Sequence, residues 1–177
     1  FVLLPIYGLT YESVVFSALC GLFLAAYVFL LSKSYQHADL SHVYPLARIT
    51  PLFTLLIGVV YLKEIVGKLA FIGTILIVSG IYAMHISDFR TFFKPLLSIK
   101  HKGSLFALAT AIVSAGYGLF SKLGAQKTNP FLFVYLAYLF TALFYLPFLF
   151  FKTSSIRSQI QNYKKEILTI GLLDLFG

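Results

Sequence analysis

Long uncharged stretches alternate with short charged ones along this chain, and the alternation predicts a series of membrane-spanning helices. An α-helix needs about 20 apolar residues to cross the hydrocarbon core of a bilayer. Five complete stretches of spanning length lie at residues 13–32, 40–62, 69–87, 103–121 and 130–151. Residues 1–8 and the stretch from Ile167 onwards are interpreted as parts of two further spans. The sequence therefore predicts an all-α, polytopic transmembrane helix bundle.

The composition supports a membrane protein and argues against a soluble one. Apolar residues make up 59% of the chain, charged residues 11%, and the mean hydropathy is +0.90. A soluble domain of this size could not bury so much apolar surface. The net charge of +8 comes from cations in the loops between spans, where they meet lipid headgroups, so no nucleic-acid partner is expected. We expect an integral, multi-pass membrane protein whose surroundings are the lipid bilayer.

The stretch at residues 40–62 differs from the others because it holds a full charge, Arg48, close to its middle. A charge at that depth costs from about 2.5–3.5 kcal/mol to about 10–17 kcal/mol, depending on the method, unless it faces a partner or a wet cavity. Pro45 and Pro51 flank it, and each is expected to kink the helix and leave carbonyls free near Arg48. Tyr44 lies one turn before Arg48 on the same face. This segment is interpreted as the wall of a polar site inside the membrane.

Two interpretations of Arg48 stay open. Its guanidinium group suits a carboxylate or phosphate on a solute, or it forms a structural pair with freed carbonyls or with an acidic residue elsewhere in the protein. Asp174 lies in the last apolar stretch, where it would pair with Arg48 or relay protons. Ser114 and Tyr117 are placed on a cavity-lining face, although Ser114 also suits helix packing. The candidate substrate-binding residues are Tyr44, Pro45, Arg48, Pro51, Ser114, Tyr117 and Asp174.

Small residues at helical spacing predict two close helix contacts. Gly73 and Gly80 lie seven residues apart on one face of their span, and a second seam of small residues runs along the span at 103–121. Its members are Ala107, Ala111, Ala115 and Gly118. Glu64, at the exit of the 40–62 span, is expected to cap the start of the next helix. His42, near the membrane edge, is interpreted either as an interfacial histidine or as a protonation switch.

Residues for enzymatic chemistry do not stand out. There is no close pair of carboxylates, no nucleophile–base spacing and no phosphate-cradling glycine-rich loop. Cys20 is the only cysteine and lies in an apolar run, so an intrachain disulfide is excluded and a metal site through cysteine is not expected. No catalytic activity, metal or cofactor is predicted. A membrane-embedded enzyme and a structural subunit without transport activity are kept as alternatives.

An internal repeat links the two halves of the chain. Cys20-Gly21-Leu22 resembles Ile170-Gly171-Leu172 five spans later, and Leu4-Pro5-Ile6 resembles Leu146-Pro147-Phe148. A period of five spans reverses the topology, so the halves would be inverted repeats. Many transporters use that design and bind their substrate near the midplane, at the repeat interface.

The exit of the 40–62 span and the glycines that follow it carry a family resemblance. Pro51-Leu52, Glu64, Gly73, Ser79 and Gly80 resemble the pattern of the EamA-like family of the drug/metabolite transporter (DMT) superfamily. The resemblance implies ten helices in two inverted repeats of five, of which this chain is a fragment. Residues 1–87 would run from the end of helix two to helix five, and residues 103–177 from helix six into helix eight.

The same resemblance implies transport of a small metabolite by alternating access, through a central cavity walled partly by helices three, four, six and eight. It also implies a bacterial cytoplasmic (inner) membrane. The orientation in the membrane stays open. The loops on one side carry four cations and the loops on the other side nine, and the positive-inside rule places the nine in the cytoplasm. The orientation usual in the family would place them outside. The oligomeric state is not predicted.

Overall fold

The computed structural model describes residues 10–84, 102–151, 163–165 and 169. Four of its helical segments are long and apolar enough to cross a membrane, and Lys68–Ile81 forms a shorter apolar helix. No strand is found in these ranges. The helices are α1 (Tyr11–His37), α2 (Leu40–Ala47), α3 (Thr50–Val60), α4 (Lys68–Met84), α5 (Lys102–Ala125) and α6 (Pro130–Phe151). The predicted all-α transmembrane bundle is confirmed, while the predicted spans at 1–8 and beyond Ile167 lie almost wholly outside the described residues.

α1 is longer than the apolar stretch that predicts it, because polar side chains extend both of its ends. Thr10 and Ser13 form a capping box, in which each side-chain oxygen accepts the other residue's backbone N–H at 3.1–3.2 Å. At the other end the helix continues past Lys33, where the His37 ring contacts the Lys33 carbonyl at 2.8 Å. A single cation near a membrane boundary does not end a helix, since its long side chain can reach the headgroups.

The 40–62 stretch is broken into α2 and α3 at Arg48 and Ile49, which adopt ψ angles of 4° and 2°. Pro51 explains the position, because a proline ring clashes with the carbonyl four residues before it. That carbonyl, on Ala47, accepts the Thr50 hydroxyl at 3.2 Å instead. The predicted break is confirmed. The prediction of free carbonyls is wrong for Tyr44, Pro45, Leu46 and Ala47, since each accepts a hydrogen bond from Arg48, Ile49 or Thr50.

Small residues bring α1 close to its two neighbours. α1 runs antiparallel to α5, where Ser34 donates a buried hydrogen bond to the Gly103 carbonyl at 2.9 Å. Gly116 of α5 lies directly under the Phe23 ring. On its other side α1 runs parallel to α6, and Gly21 lies against the α6 backbone. The predicted seam on α5 is confirmed for Ala107, Ala111 and Ala115, which are at most 1% exposed, but not for Gly118, which has no described atom within 4 Å of its Cβ position.

The predicted close contact of Gly73 and Gly80 is wrong within the part of the chain that the structure describes. No atom there lies within 4 Å of the Cβ position of either glycine. α4 packs on α3 through another face, with Thr74, Ile75 and Val78 lining an apolar groove against Leu52 and Leu55. A helix has several faces, and spacing alone does not decide which of them meets a neighbour.

Two ion pairs join loops at one end of the bundle. Glu12, in the first turn of α1, lies 3.0 Å from Lys127, which follows α5. Glu64, which follows α3, pairs with Lys122 near the end of α5. Glu64 therefore tethers the α3–α4 loop to α5, whereas the sequence predicted a cap on α4. The start of α5 lies at the opposite end, as the predicted alternation of spans requires.

Candidate solute-binding wall

Arg48 lies at the break between α2 and α3, with its side chain on an open face. Its guanidinium carbon lies 5.0 Å from the centre of the Tyr44 ring. Among the described residues it has no carboxylate partner and its side chain makes no hydrogen bond. The residue itself is exposed, and Tyr44 is 45% exposed. Within the described ranges the guanidinium is therefore held by a cation–π contact, and its N–H donors have no partner there.

The opposite face of α2 is fully packed. Val43, Leu46 and Ala47 are at most 8% exposed and form a cluster with Ala107 of α5. Pro45 is also buried. This packing fixes the rotation of α2 about its axis, so Tyr44 and Arg48, one turn apart, both project from the face that α5 does not cover.

Two tyrosines that sequence reasoning missed lie on the α1 side of this wall. Tyr35 packs against the α2 cluster, and Tyr27 lies two turns before it on the same face of α1. Only Ala38 and Asp39 separate α1 from α2, and Leu31, Tyr35 and Ala38 pack against the α2 cluster. Counted back from that turn, Tyr27 and Arg48 lie at similar depth, about 12–15 Å of helix rise, and Tyr35 lies level with Tyr44. In the sequence, only the helical spacing of Tyr27, Leu31 and Tyr35 indicates that the two tyrosines share one face of α1.

The hydroxyls of these tyrosines are not used by the protein's own packing. Those of Tyr27, Tyr35 and Tyr44 bond to no residue in the described ranges, whereas the Tyr145 hydroxyl donates to the Ala25 carbonyl at 2.7 Å. A polar group left without a partner at membrane depth is costly. The wall formed by Tyr27, Tyr35, Tyr44 and Arg48, called the Arg–Tyr wall below, is therefore the candidate surface for water or a polar solute.

The other candidate residues lie on α3, on α5 or outside the described ranges. Tyr117 packs against Cys20, Phe133 and Ala137, between α1, α5 and α6, and Ser114 is half-buried on α5. Pro51 lies in the first turn of α3 and acts through the break. The remaining predicted residue, Asp174, and the side chain of His42 lie outside what the structure describes. Cys20 is fully buried, as expected for a small hydrophobe. The described residues contain no cluster of metal-ligand type.

Comparison with known proteins adds one match. The model of the EamA-like transporter family matches residues 2–86 and 101–177, and thus takes in α1 to α6 in two separate ranges. No curated protein and no solved structure matches the chain significantly.

Proposed function

The chain belongs to the EamA-like transporter family, and from that premise we propose that it moves a small metabolite across the membrane by alternating access, with Arg48 binding the solute. It is an integral, multi-pass membrane protein. We place it in a bacterial cytoplasmic membrane and assign residues 1–87 and 103–177 to two repeats of an inverted-repeat transporter. The two separate ranges matched by the family model support that division.

The observation that carries this proposal is the uncompensated cation of Arg48. It lies at a helix break within a membrane-spanning stretch and has no anionic partner among the described residues. A purely structural helix would not hold an unpaired charge at such cost. Binding an anionic solute at the surface of a water-filled cavity supplies the missing partner. Within the described ranges, no catalytic cluster favours an enzyme and no second charged network favours a scaffold.

Accessibility of Arg48 can be tested by chemical labelling. The chain has three arginines, and replacing Arg90 and Arg157 by Lys leaves Arg48 as the single target for phenylglyoxal. In sealed vesicles and in detergent, we expect mass spectrometry to find Arg48 modified in the folded protein. A chain that is unmodified until it is denatured would show that Arg48 is not in a water-filled cavity.

Solute binding is tested by substitution, with counterflow of labelled carboxylates and phosphates in proteoliposomes as the assay. Arg48→Lys keeps the charge but loses the planar fork, so we expect weaker transport with normal folding. Arg48→Leu should abolish transport without lowering the yield of folded protein, because it removes an insertion cost. Lys33→Leu, at a partly exposed cation near the end of α1, is the matched control. Full transport by Arg48→Leu would refute the role, and loss of folding in both Arg48 variants would favour a structural one.

A further inference from the structure

The Arg–Tyr wall has a composition that selects among anionic solutes, and the inference drawn from it rests on the proposed function. The wall offers one positive charge, three phenol rings and three hydroxyls that the described residues leave without partners. Each group recognises a different feature of a ligand. The guanidinium pairs with an oxyanion, the hydroxyls donate to its remaining oxygen lone pairs, and the rings stack on a flat apolar body.

The charge count favours a monovalent anion. Arg48 is the one cation of the wall, and a phosphate monoester carries about 1.5–2 negative charges at neutral pH. Moving that excess charge away from water would leave part of it uncompensated. A carboxylate carries a single charge, and its two oxygens match the fork of one guanidinium group.

The acidic residues argue against a zwitterion. Within the described ranges, Glu12 and Glu64 are held in ion pairs at one end of the bundle, and Asp39 precedes α2 at the other end. None of the three lies within the depth of the Arg–Tyr wall. The ammonium group of an amino acid would therefore find no described carboxylate beside Arg48, and its desolvation would be uncompensated.

The positions of the tyrosines suit a body attached to that carboxylate. By helix rise from the α1–α2 turn, Tyr27 lies at about the depth of Arg48, Tyr44 lies one turn nearer that turn than Arg48, and Tyr35 lies two turns nearer it than Tyr27. A ligand whose carboxylate reaches Arg48 would therefore extend between aromatic rings on α1 and α2. We propose that the Arg–Tyr wall binds a planar, apolar monocarboxylate, and that Tyr35 on α1 contributes to its recognition.

The test uses protection of Arg48 from phenylglyoxal in the Arg90→Lys, Arg157→Lys background. Four probes separate the features of the ligand: benzoate, neutral benzyl alcohol, zwitterionic phenylalanine and inorganic phosphate. We expect benzoate to protect at concentrations about tenfold lower than the other three, as expected for a charge-assisted hydrogen bond combined with ring stacking. Equal protection by phosphate would show that the planar body is not recognised, and equal protection by phenylalanine would show that zwitterions are accepted. Either result overturns the inference.

The role of Tyr35 is tested in the same assay with a matched pair of variants. Tyr35→Phe keeps the ring that packs on the α2 cluster and removes the hydroxyl, and we expect it to raise the half-protecting benzoate concentration about five- to tenfold. Tyr138→Phe makes the same change at an exposed position of α6 and should leave it unchanged. Equal values for the two variants would remove Tyr35 from the site.

The two proposals fail in distinguishable ways. If Arg48 is modified but no probe protects it, the inference about the solute is wrong, while the water-filled cavity stands. If Arg48 is not modified in the folded protein, the cavity itself is refuted, and the inference with it.

Discussion

The close approach of α1 and α6 predicts that a single added methyl group at Gly21 destabilises the bundle. A Cβ atom there would lie 2.7 Å from Phe140 Cβ, 2.8 Å from the Ala137 carbonyl oxygen and 2.9 Å from the Thr141 nitrogen. The first distance is about 0.8 Å short of the roughly 3.5 Å at which carbon atoms attract each other. Two of the three atoms belong to the α6 backbone, so the contact cannot be relieved by rotation of a side chain. α6 must move as a unit.

The cost follows from that displacement. Overpacking of a helix contact costs about 1–3 kcal/mol. Moving α6 also weakens the hydrogen bond from the Tyr145 hydroxyl to the Ala25 carbonyl, now 2.7 Å long. Such bonds average about 0.6 kcal/mol inside membrane proteins. We therefore expect Gly21→Ala to lower the free energy of unfolding by about 2–3 kcal/mol relative to a glycine-to-alanine change made in open space.

Gly118 of α5 provides that reference, because no described atom lies within 4 Å of its Cβ position. Gly118→Ala gains the same helix propensity without a clash. The assay is reversible unfolding in mixed micelles of mild detergent and sodium dodecyl sulfate, followed by circular dichroism. Equal midpoints for the two variants would show that α1 and α6 are not in backbone contact at Gly21.

Three further predictions concern single contacts, each read from the same unfolding midpoint. Tyr145→Phe should lower the free energy of unfolding by about 0.6 kcal/mol, because it removes the hydrogen bond to the α1 backbone. The same change at the exposed Tyr135 should leave the free energy of unfolding unchanged, and equal losses for the two variants would contradict the hydrogen bond. A double-mutant cycle of Glu64→Gln and Lys122→Gln should give a coupling below about 1 kcal/mol that 0.5 M salt removes, since both side chains are half-exposed; a salt-independent coupling would contradict this. Lys63→Gly should raise the free energy of unfolding by roughly 0.5–1 kcal/mol, because Lys63 adopts a φ of 52°, which glycine tolerates better than lysine. A lower free energy of unfolding would show that this backbone is not strained.

The sequence predicts the spans and the break well because both follow from local chemistry. Hydrophobic length defines a membrane helix, and Pro51 interrupts its own helix at the carbonyl four residues earlier. The identity of the contacting glycines was not predictable in the same way. Gly21 and Gly73 both lie within apolar helices, but only Gly21 faces a neighbouring backbone in the described structure. Which face meets a neighbour depends on the arrangement of all the helices.

The candidate site was predicted in part for a related reason. A charge within a span is conspicuous, so Arg48 and its same-face neighbour Tyr44 could be identified from the sequence. Tyr27 and Tyr35 carry no charge, and the chain holds 12 tyrosines that suit packing equally well. Only the packing of α1 against α2 places Tyr35 beside the α2 cluster, with Tyr27 two turns away on the same face of α1. Whether Ser114, Tyr117 and Asp174 contribute to binding stays a prediction.

The two ends of the contact between α1 and α5 differ in how they respond to the surrounding solution. At one end the buried bond from Ser34 to Gly103 is shielded from water, and at the other Glu12 and Lys127 form a half-exposed ion pair. Dissolved salt weakens the attraction between exposed charges, but it does not reach the buried bond. The contact between α1 and α5 therefore responds to ionic strength at one end only, by no more than the roughly 1 kcal/mol that an exposed ion pair contributes.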